Sequence, residues 1–136
     1  MPESTLDVRH LQTYFFTRDG VAKAVEDISF SLGSGEVLGL VGESGSGKTV
    51  TGFSILGLVD APGKVVGGEI LFKGRDLLKL SEEEMRKVRG NQLAMVFQDP
   101  MMTLNPVLRI DTQMIEAIQA HQNLGKVAAK ELARDA

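Results

Sequence analysis

The octapeptide Gly42-Glu43-Ser44-Gly45-Ser46-Gly47-Lys48-Thr49 fits the spacing G-x-x-x-x-G-K-[ST] of a phosphate-binding loop, also called a Walker A motif. The apolar run 37–41 precedes it, and this run is typical of a buried parallel strand. After it, Val50, Phe53 and Leu56 recur at the three-residue spacing of one helix face. A strand, a glycine-rich loop and a helix, in this order, are the context that such a loop requires.

The residue types in this loop suit a nucleoside triphosphate with its Mg²⁺ ion. Gly42, Gly45 and Gly47 allow backbone conformations closed to other residues, so that successive N–H groups converge on phosphate oxygens. The start of the following helix adds unpaired N–H groups and the positive end of its dipole. Lys48 is predicted to reach the β- and γ-phosphates, and the Thr49 hydroxyl to ligate Mg²⁺. A chance glycine-rich turn with a surface lysine is the alternative, and the flanking strand and helix argue against it.

Composition limits the classes of function. The 136 residues have the length of a single domain, and 43% hydrophobic residues are enough for a core. A net charge of −3 argues against broad affinity for nucleic acid or anionic membranes. The absence of cysteine excludes disulfides and thiolate metal sites. No apolar run approaches the ~20 residues of a membrane span, and the N-terminus does not resemble a signal peptide. We therefore expect a soluble protein, or one held at a membrane by a partner.

Alternation of apolar and polar residues predicts the strands. Strands are expected at 6–8, 21–25, 28–32, 65–66, 69–72 and 93–97. Turns or breaks are expected at 17–20, 33–35, 60–63, 67–68 and 73–76. The run 93–97 is expected to be buried. Asp99 follows it with an offset of one residue, which points away from the strand's metal-binding face, so Asp99 is not assigned as a metal ligand.

Capping signals predict the later helices. Ser81 with Glu84 three residues on forms a capping box, which predicts a helix over 82–89 with Gly90 just beyond its end. Asp111 is predicted to be the N-cap of a second helix. A further helix is expected over 126–136, after a break at 123–125.

Several motifs together resemble the ATP-binding subunit of ABC transporters. These motifs are the phosphate loop, Gly-Gly-Glu-Ile at 67–70, Val-Phe-Gln-Asp-Pro at 96–100 and Leu-Asn-Pro at 104–106. The sequence over 98–106 is similar to that of the dipeptide/oligopeptide importer group. The resemblance covers the whole chain but only the first part of a family member. It implies an α/β P-loop NTPase fold, with a RecA-like core and an N-terminal antiparallel β subdomain, truncated at the start of the helical subdomain. Residues 1–105 would be the partial nucleotide-binding core with the β subdomain, and 106–136 the incomplete start of the helical subdomain.

The resemblance also implies the site residues. ATP and Mg²⁺ are the expected cofactors, and the whole loop 42–49 binds the nucleotide. Gln98 is similar to the glutamine that contacts the metal and the attacking water, so Lys48 and Gln98 are the expected catalytic residues, and Thr49 and Gln98 the metal ligands. One aromatic residue of Tyr14-Phe15-Phe16 resembles the residue that stacks on adenine. We choose Phe15, which lies 33 residues before Lys48, although which of the three meets the base stays open.

Partners and location follow from the same resemblance. It implies an ABC-type ATP hydrolase that powers import, with peptides as cargo, from the cytoplasmic face of the cell membrane as a peripheral subunit. Transmembrane permease subunits would dock at the loop that carries Gln98, and a second ATP-binding subunit would complete the site, with no nucleic-acid partner. The sequence lacks the Leu-Ser-Gly-Gly-Gln signature, a strand ending in Asp-Glu and the switch histidine. We therefore expect the 136-residue chain alone to be inactive in hydrolysis.

Two other functions fit part of the pattern. A GTPase switch is suggested by Asp-Ala-Pro-Gly at 60–63, but this D-x-x-G lies only 12 residues past Lys48, and no Asn-Lys-x-Asp motif is present. The other function is a nucleotide-binding module that binds without turnover.

Overall fold

An antiparallel sheet with packed helices forms the first of the two units into which the chain divides, Met1–Arg89 and Gly90–Ala136. A computed structural model describes residues 3–99, 101 and 103–136. The first unit holds, in chain order, β1 (Ser4–Thr17), β2 (Gly20–Gly33), α1 (Lys48–Leu56), β3 (Gly63–Phe72), β4 (Arg75–Asp76) and α2 (Glu82–Val88). The second unit holds α3 (Ile110–Gln119) and α4 (Lys126–Asp135). The predicted domain boundary at 105/106 concerns subdomains of a complete family member and stays a prediction.

The sheet has the strand order β2-β1-β3-β4, with every neighbouring pair antiparallel. β1 and β2 form a hairpin in which Thr17 pairs with Gly20, so the predicted turn at 17–20 is confirmed. One face of the central strand β1 is buried, because apolar side chains alternate along it. The core of this unit includes Leu6, Val8, Leu11, Val25, Ile70 and Phe72.

The predicted break at 67–68 is wrong, because β3 runs through both glycines without interruption. Gly68 has φ +96°, and a Cβ atom there would lie 2.6 Å from the Arg9 carbonyl oxygen of β1. The register between β1 and β3 shifts at this point. The glycine therefore serves a close approach of two strands at an irregularity of the sheet, a role that glycine inside a strand often has. The predicted turn at 73–76 is shorter than expected, because residues 75 and 76 form β4.

Helix α1 packs on the sheet through small polar side chains. Thr51 and Ser54 are each only 1% exposed, whereas Val50 and Phe53 of the predicted face are half-buried. The Thr13 hydroxyl of β1 lies 2.7 Å from the Ser54 hydroxyl. Of the residues at the three-residue spacing, Leu56 is buried. Hydroxyl groups that are hydrogen-bonded, as those of Thr51 and Ser54 are, can be buried at little cost and let the helix approach the sheet closely.

The two predicted buried strands are not formed, neither the parallel strand at 37–41 nor the strand at 93–97. Residues 37–41 lie outside any strand, and Val37 and Val41 are 96% and 95% exposed. Residues 94–97 are not in a strand either, and Val96 is 96% exposed. Parallel strands require neighbouring strands and cover on both faces. The described part of the chain pairs its strands only in the antiparallel sheet, which leaves these two apolar runs without partner strands.

The capping box of α2 is confirmed. The Ser81 hydroxyl accepts from the Glu84 backbone N–H at 3.2 Å, and the Glu84 carboxylate accepts from the Ser81 N–H at 2.9 Å. These hydrogen bonds hold the pKa of Glu84 below its usual value. Gly90 follows the end of the helix with φ +78°, as predicted for a residue just past a helix.

The N-cap of α3 is Arg109 rather than the predicted Asp111. The Asp111 carboxylate lies inside the first turn of the helix, where it accepts from the Thr112 N–H at 2.8 Å and from the Arg109 guanidinium at 2.9 Å. The hydrogen bond from Arg109 holds the pKa of Asp111 below its usual value. The negative charge of Asp111 therefore stabilises the start of α3 from within the first turn, and Asp111 does not act as the N-cap. In the same unit α3 and α4 pack together, with Ile115, Ala129 and Ala133 buried.

The Arg89 side chain bonds to both the end of α1 and the start of α2. Its Nε donates to the Leu56 carbonyl at 2.6 Å and its Nη2 to the Gly57 carbonyl at 2.9 Å. Its Nη1 pairs with the Glu82 carboxylate at 2.7 Å. The carbonyl groups at a helix C-terminus have no partner inside the helix, and the dipole there favours a cation. The guanidinium meets both needs, and it also holds the pKa of Glu82 below its usual value.

We expect Arg89→Ala to lower the free energy of unfolding by about 1.5–3 kcal/mol, the range for hydrogen bonds to a charged group. Arg89 is 21% exposed in its side chain, so solvent replaces the lost donors incompletely. Urea unfolding measures the change. Arg86→Ala is the matched control, because Arg86 lies exposed on the same helix. Equal losses in the two variants would show that the bonds to the two carbonyls contribute nothing.

Candidate phosphate-binding site

The start of α1 is held against the sheet at Gly47. This residue is the N-cap and has φ +99°, in the left-handed region that favours glycine. A Cβ atom on Gly47 would lie 2.5 Å from the Ala24 carbonyl oxygen of β2. Its own carbonyl accepts from the Thr51 N–H at 2.9 Å and from the Thr51 hydroxyl at 2.7 Å. The end of the loop is thus fixed on both sides, by a strand and by the first turn of the helix.

The side chain of Lys48 lies inside the loop. Its ammonium donates to the Gly42 carbonyl, to the Glu43 carbonyl at 2.7 Å and to the Ser46 hydroxyl at 3.3 Å. The Ser46 N–H donates to the Glu43 carbonyl at 3.1 Å, which closes the loop on itself. The loop therefore surrounds the Lys48 ammonium with two backbone carbonyls and a hydroxyl group at the start of α1.

The electrostatics of this helix start favour an anion. The first turn of α1 contains no acidic residue, and no side chain caps it. The first N–H groups of a helix have no partner within the helix, and together with the dipole they form a site for phosphate. The lysine, the first N–H groups of the helix and the close approach of Gly47 to the sheet fit a bound polyphosphate.

Of the two predicted metal ligands, only Thr49 lies in this unit. Its hydroxyl is on the second residue of α1, and the residue is exposed. Among the described residues no group of three or more His, Cys, Asp or Glu could hold a metal ion. Mg²⁺ commonly takes one or two protein oxygens together with substrate phosphates and water, so Thr49 fits a metal that arrives with its nucleotide.

Gln98 lies in the second unit and is exposed, and its roles in catalysis and metal binding stay predictions. The neighbouring Asp99 accepts from the Met101 N–H at 2.9 Å, so its carboxylate supports the local turn. This use agrees with leaving Asp99 out of the metal ligands. Pro100 of the predicted loop lies outside the described residues.

Phe15 lies on β1 two residues after Thr13, which is buried and touches Ser54 of α1. The register of β1 against β2 shifts between Thr13 and Tyr14. The Phe15 ring covers Gly63 of β3, where a Cβ atom would lie 2.6 Å from the ring carbon Cε1. The residue is half-buried, so part of it stays accessible.

The other two aromatic residues of the cluster, Tyr14 and Phe16, alternate with Phe15 and so lie on the opposite face of β1 from it. The Lys23 ammonium lies 5.6 Å from the centre of the Tyr14 ring, and Phe16 is 49% exposed. Phe15 pairs with Ala22 on β2, two residues from Ala24, whose carbonyl touches the loop at Gly47. Two residues of a strand span about 7 Å. Tyr14 pairs with Lys23, one residue from Ala24, so the register does not choose between Tyr14 and Phe15, and the choice of Phe15 stays a prediction.

Sequence reasoning missed the buried hydroxyl groups that connect these parts. Thr13 and Ser54 were assigned no role, and Thr51 was not singled out. A signal was present, because Thr13 alternates with Leu11 and Phe15, and Ser54 lies seven residues after Gly47 on the same helix face. Thr13 and Ser54, which bond to each other, are however 41 residues apart in sequence.

The fold and the loop define an α/β nucleotide-binding domain of the P-loop NTPase class. The structure is similar to the dimeric structure of MJ0796, a bacterial ABC transporter cassette, with a TM-score of 0.80 at 20% identity over 96% of this chain and 54% of that chain. The sequence profile of the ABC transporter family matches residues 25–136. The chain belongs to the ABC transporter family, which decides against the GTPase alternative.

Curated relatives are similar over nearly the whole chain. A probable peptide ABC transporter ATP-binding protein, y4tR of Sinorhizobium fredii, is 51% identical over 129 residues, covering 94% of this chain and 38% of its own length. The oligopeptide transport ATP-binding protein OppD of Escherichia coli is 46% identical over 129 residues, covering 95% of this chain and 38% of its own length. The chain thus spans little more than a third of these relatives. Among the described residues, no helix is long and apolar enough to cross a membrane.

Proposed function

We propose that this chain is the ATP-binding part of an ABC transporter ATPase that powers the import of peptides across the cytoplasmic membrane. The names of its relatives support the cargo, since y4tR and OppD are described as ATP-binding proteins of peptide and oligopeptide transport. The observation that carries the proposal is the ammonium of Lys48, enclosed by loop carbonyls at the start of α1. That arrangement is chemically suited to a triphosphate.

Each residue of the site has a part in this proposal. The loop 42–49 holds the β- and γ-phosphates through backbone N–H groups, and Lys48 neutralises charge that develops on them during transfer. The Thr49 hydroxyl ligates the Mg²⁺ ion that accompanies ATP and supplies Lewis-acid chemistry when bound. Phe15 stacks on the adenine. Gln98 contacts the metal and the attacking water.

The partners belong to the same proposal. Transmembrane permease subunits dock at the loop that carries Gln98, and a second ATP-binding subunit faces the nucleotide. The protein then works as a peripheral subunit on the cytoplasmic face of the membrane. A module that binds nucleotide without turnover is the alternative.

Transport in vesicles tests the proposed function. The full-length ATP-binding subunit and its permease are reconstituted, and uptake of labelled di- and oligopeptides is followed with and without Mg-ATP. We expect uptake that depends on ATP and is accompanied by phosphate release. ATP-dependent uptake of a sugar or ion but not of peptides would overturn the cargo, and nucleotide binding without phosphate release would favour the module without turnover.

Phe15→Ala is expected to weaken Mg-ATP binding by about 1–3 kcal/mol, the range for stacking of a base on an aromatic side chain. Calorimetric titration measures the change. Phe15→Tyr keeps the ring and is expected to bind nearly as well as the wild type. Tyr14→Ala and Phe16→Ala are the controls from the other face of β1. A loss in either control, with none in Phe15→Ala, would move the adenine contact to that residue.

A further inference from the structure

A chain of buried hydroxyl groups connects the strand that carries Phe15 with the helix that starts at the phosphate loop. Thr13 is fully buried, and Ser54 is 1% exposed. Their hydroxyl oxygens lie 2.7 Å apart. The Ser54 hydroxyl donates to the Val50 carbonyl at 2.7 Å, so Thr13 is the donor to Ser54. Each group is satisfied, and a buried hydrogen bond of this kind has one preferred geometry.

The hydrogen bond between Thr13 and Ser54 joins the two elements that hold the proposed nucleotide site. β1 carries Phe15, and α1 begins at the phosphate loop. Phe15 follows Thr13 by two residues on β1. Ser54 lies on the face of α1 that also presents Thr51 and Gly47, and Thr51 is bonded to the Gly47 carbonyl through both its N–H and its hydroxyl. A displacement of α1 along its axis would therefore move the phosphate loop relative to the Phe15 ring.

An apolar contact would not hold this distance equally well. Dispersion contacts between methyl groups are non-directional, so a helix can slide over them at little cost. A hydroxyl pair that slides loses its hydrogen bond and leaves the Thr13 hydroxyl without this partner in the core, which is unfavourable. The small side chains of this face allow the close approach that brings the two hydroxyls together.

We propose that Thr13 and Ser54 are positioning residues that fix the distance between the phosphate loop and Phe15. They thereby favour ligands that carry both a polyphosphate and an aromatic base at the spacing of a nucleoside triphosphate. This inference rests on the proposed nucleotide site. Neither residue touches the ligand, so both act through the placement of α1 on β1.

Two ligands separate positioning from simple stability. Mg-ATP uses both ends of the site, and Mg-tripolyphosphate uses only the loop. In the wild type we expect ATP to bind more tightly than tripolyphosphate. In Thr13→Val, which keeps the shape but lacks the hydroxyl, we expect ATP affinity to fall about fivefold or more, a part of the stacking contribution, and tripolyphosphate affinity to stay unchanged. Thr13→Ser restores the hydroxyl and is expected to restore the preference for ATP.

Matched variants complete the experiment. Ser54→Ala removes the partner hydroxyl and is expected to reproduce Thr13→Val, so it serves also if the valine variant does not fold. Thr17→Val is the control, because it removes a hydroxyl at the hairpin end of the same strand, where Thr17 bonds only to the Gly20 carbonyl in its own turn. Thermal unfolding of each variant shows whether it is folded at the titration temperature.

The outcomes are distinct. Equal losses for ATP and tripolyphosphate, or no loss for either, would overturn the positioning role while the phosphate site stands. Equal binding of the two ligands by the wild type would also overturn it, because no base contact would then exist to be positioned. Failure of the wild type to bind either ligand would instead refute the proposed nucleotide site itself.

Discussion

Lys48→Ala is expected to lower the affinity for Mg-ATP by about a hundredfold or more. The ammonium is the charge that the loop encloses, and hydrogen bonds to charged groups contribute about 1.5–3 kcal/mol each, where 1.4 kcal/mol is a factor of ten. The variant also removes the ammonium donor from the Gly42 and Glu43 carbonyls, and of these bonds only the one from the Ser46 N–H to Glu43 stays. Calorimetric titration with Mg-ATP measures the affinity.

Two further variants make the test specific to this ammonium. Lys73→Ala removes a lysine that lies over the Phe72 ring of β3, and we expect it to leave the affinity unchanged. Lys48→Arg keeps the charge but presents a planar fork in place of a compact ammonium, and we expect it to bind poorly. An unchanged affinity in Lys48→Ala would contradict the assignment of the loop.

Gly47→Ala is expected both to destabilise the first unit and to abolish tight ATP binding. A residue with a side chain at φ +99° is strained by about 1–3 kcal/mol. In addition, its Cβ would lie 2.5 Å from the Ala24 carbonyl oxygen, which is backbone and cannot move aside alone. Either β2 or the start of α1 has to shift, and the loop N–H groups then no longer converge. Urea unfolding and titration with Mg-ATP measure the two effects.

Two other glycines serve as controls that separate the effect of backbone strain from that of the close contact with the Ala24 carbonyl. Gly45 has φ +82°, but a Cβ atom there would meet open space, so Gly45→Ala carries the strain without the contact. Gly39 has neither feature, and Gly39→Ala is expected to be nearly neutral. If Gly47→Ala were no worse than Gly45→Ala, the contact with Ala24 would have no energetic importance.

Local chemistry made several features predictable from the sequence. The loop 42–49 is set by residues next to one another, and so are the capping box at Ser81 and the hairpin turn at 17–20. The strand alternation in β1 and β2 is visible because one face is buried and the other is not. The choice of Phe15 followed the family resemblance, and its contact with adenine stays a prediction.

Features that depend on distant partners were not predictable. Residues 37–41 have the composition of a buried strand, but composition does not supply the neighbouring strands that burial needs. The hydrogen bonds of Thr13 and Arg89 join residues 41 and 33 positions away in sequence. The N-cap of α3 was misplaced because Arg109 binds the acid that would otherwise have been free to cap the helix.

Amide chemical shifts during titration with Mg-ATP test the nucleotide site most directly. If the loop holds the triphosphate and Phe15 the base, the amides of residues 42–49 shift most, those of Phe15 and its strand partner Ala22 shift as well, and those of α3 and α4 stay in place. The same titration with Mg-tripolyphosphate is expected to move the loop amides and leave Phe15 unchanged. Shifts confined to α3 and α4, or a loop that does not respond to ATP at saturating concentration, would contradict the assignment of the site.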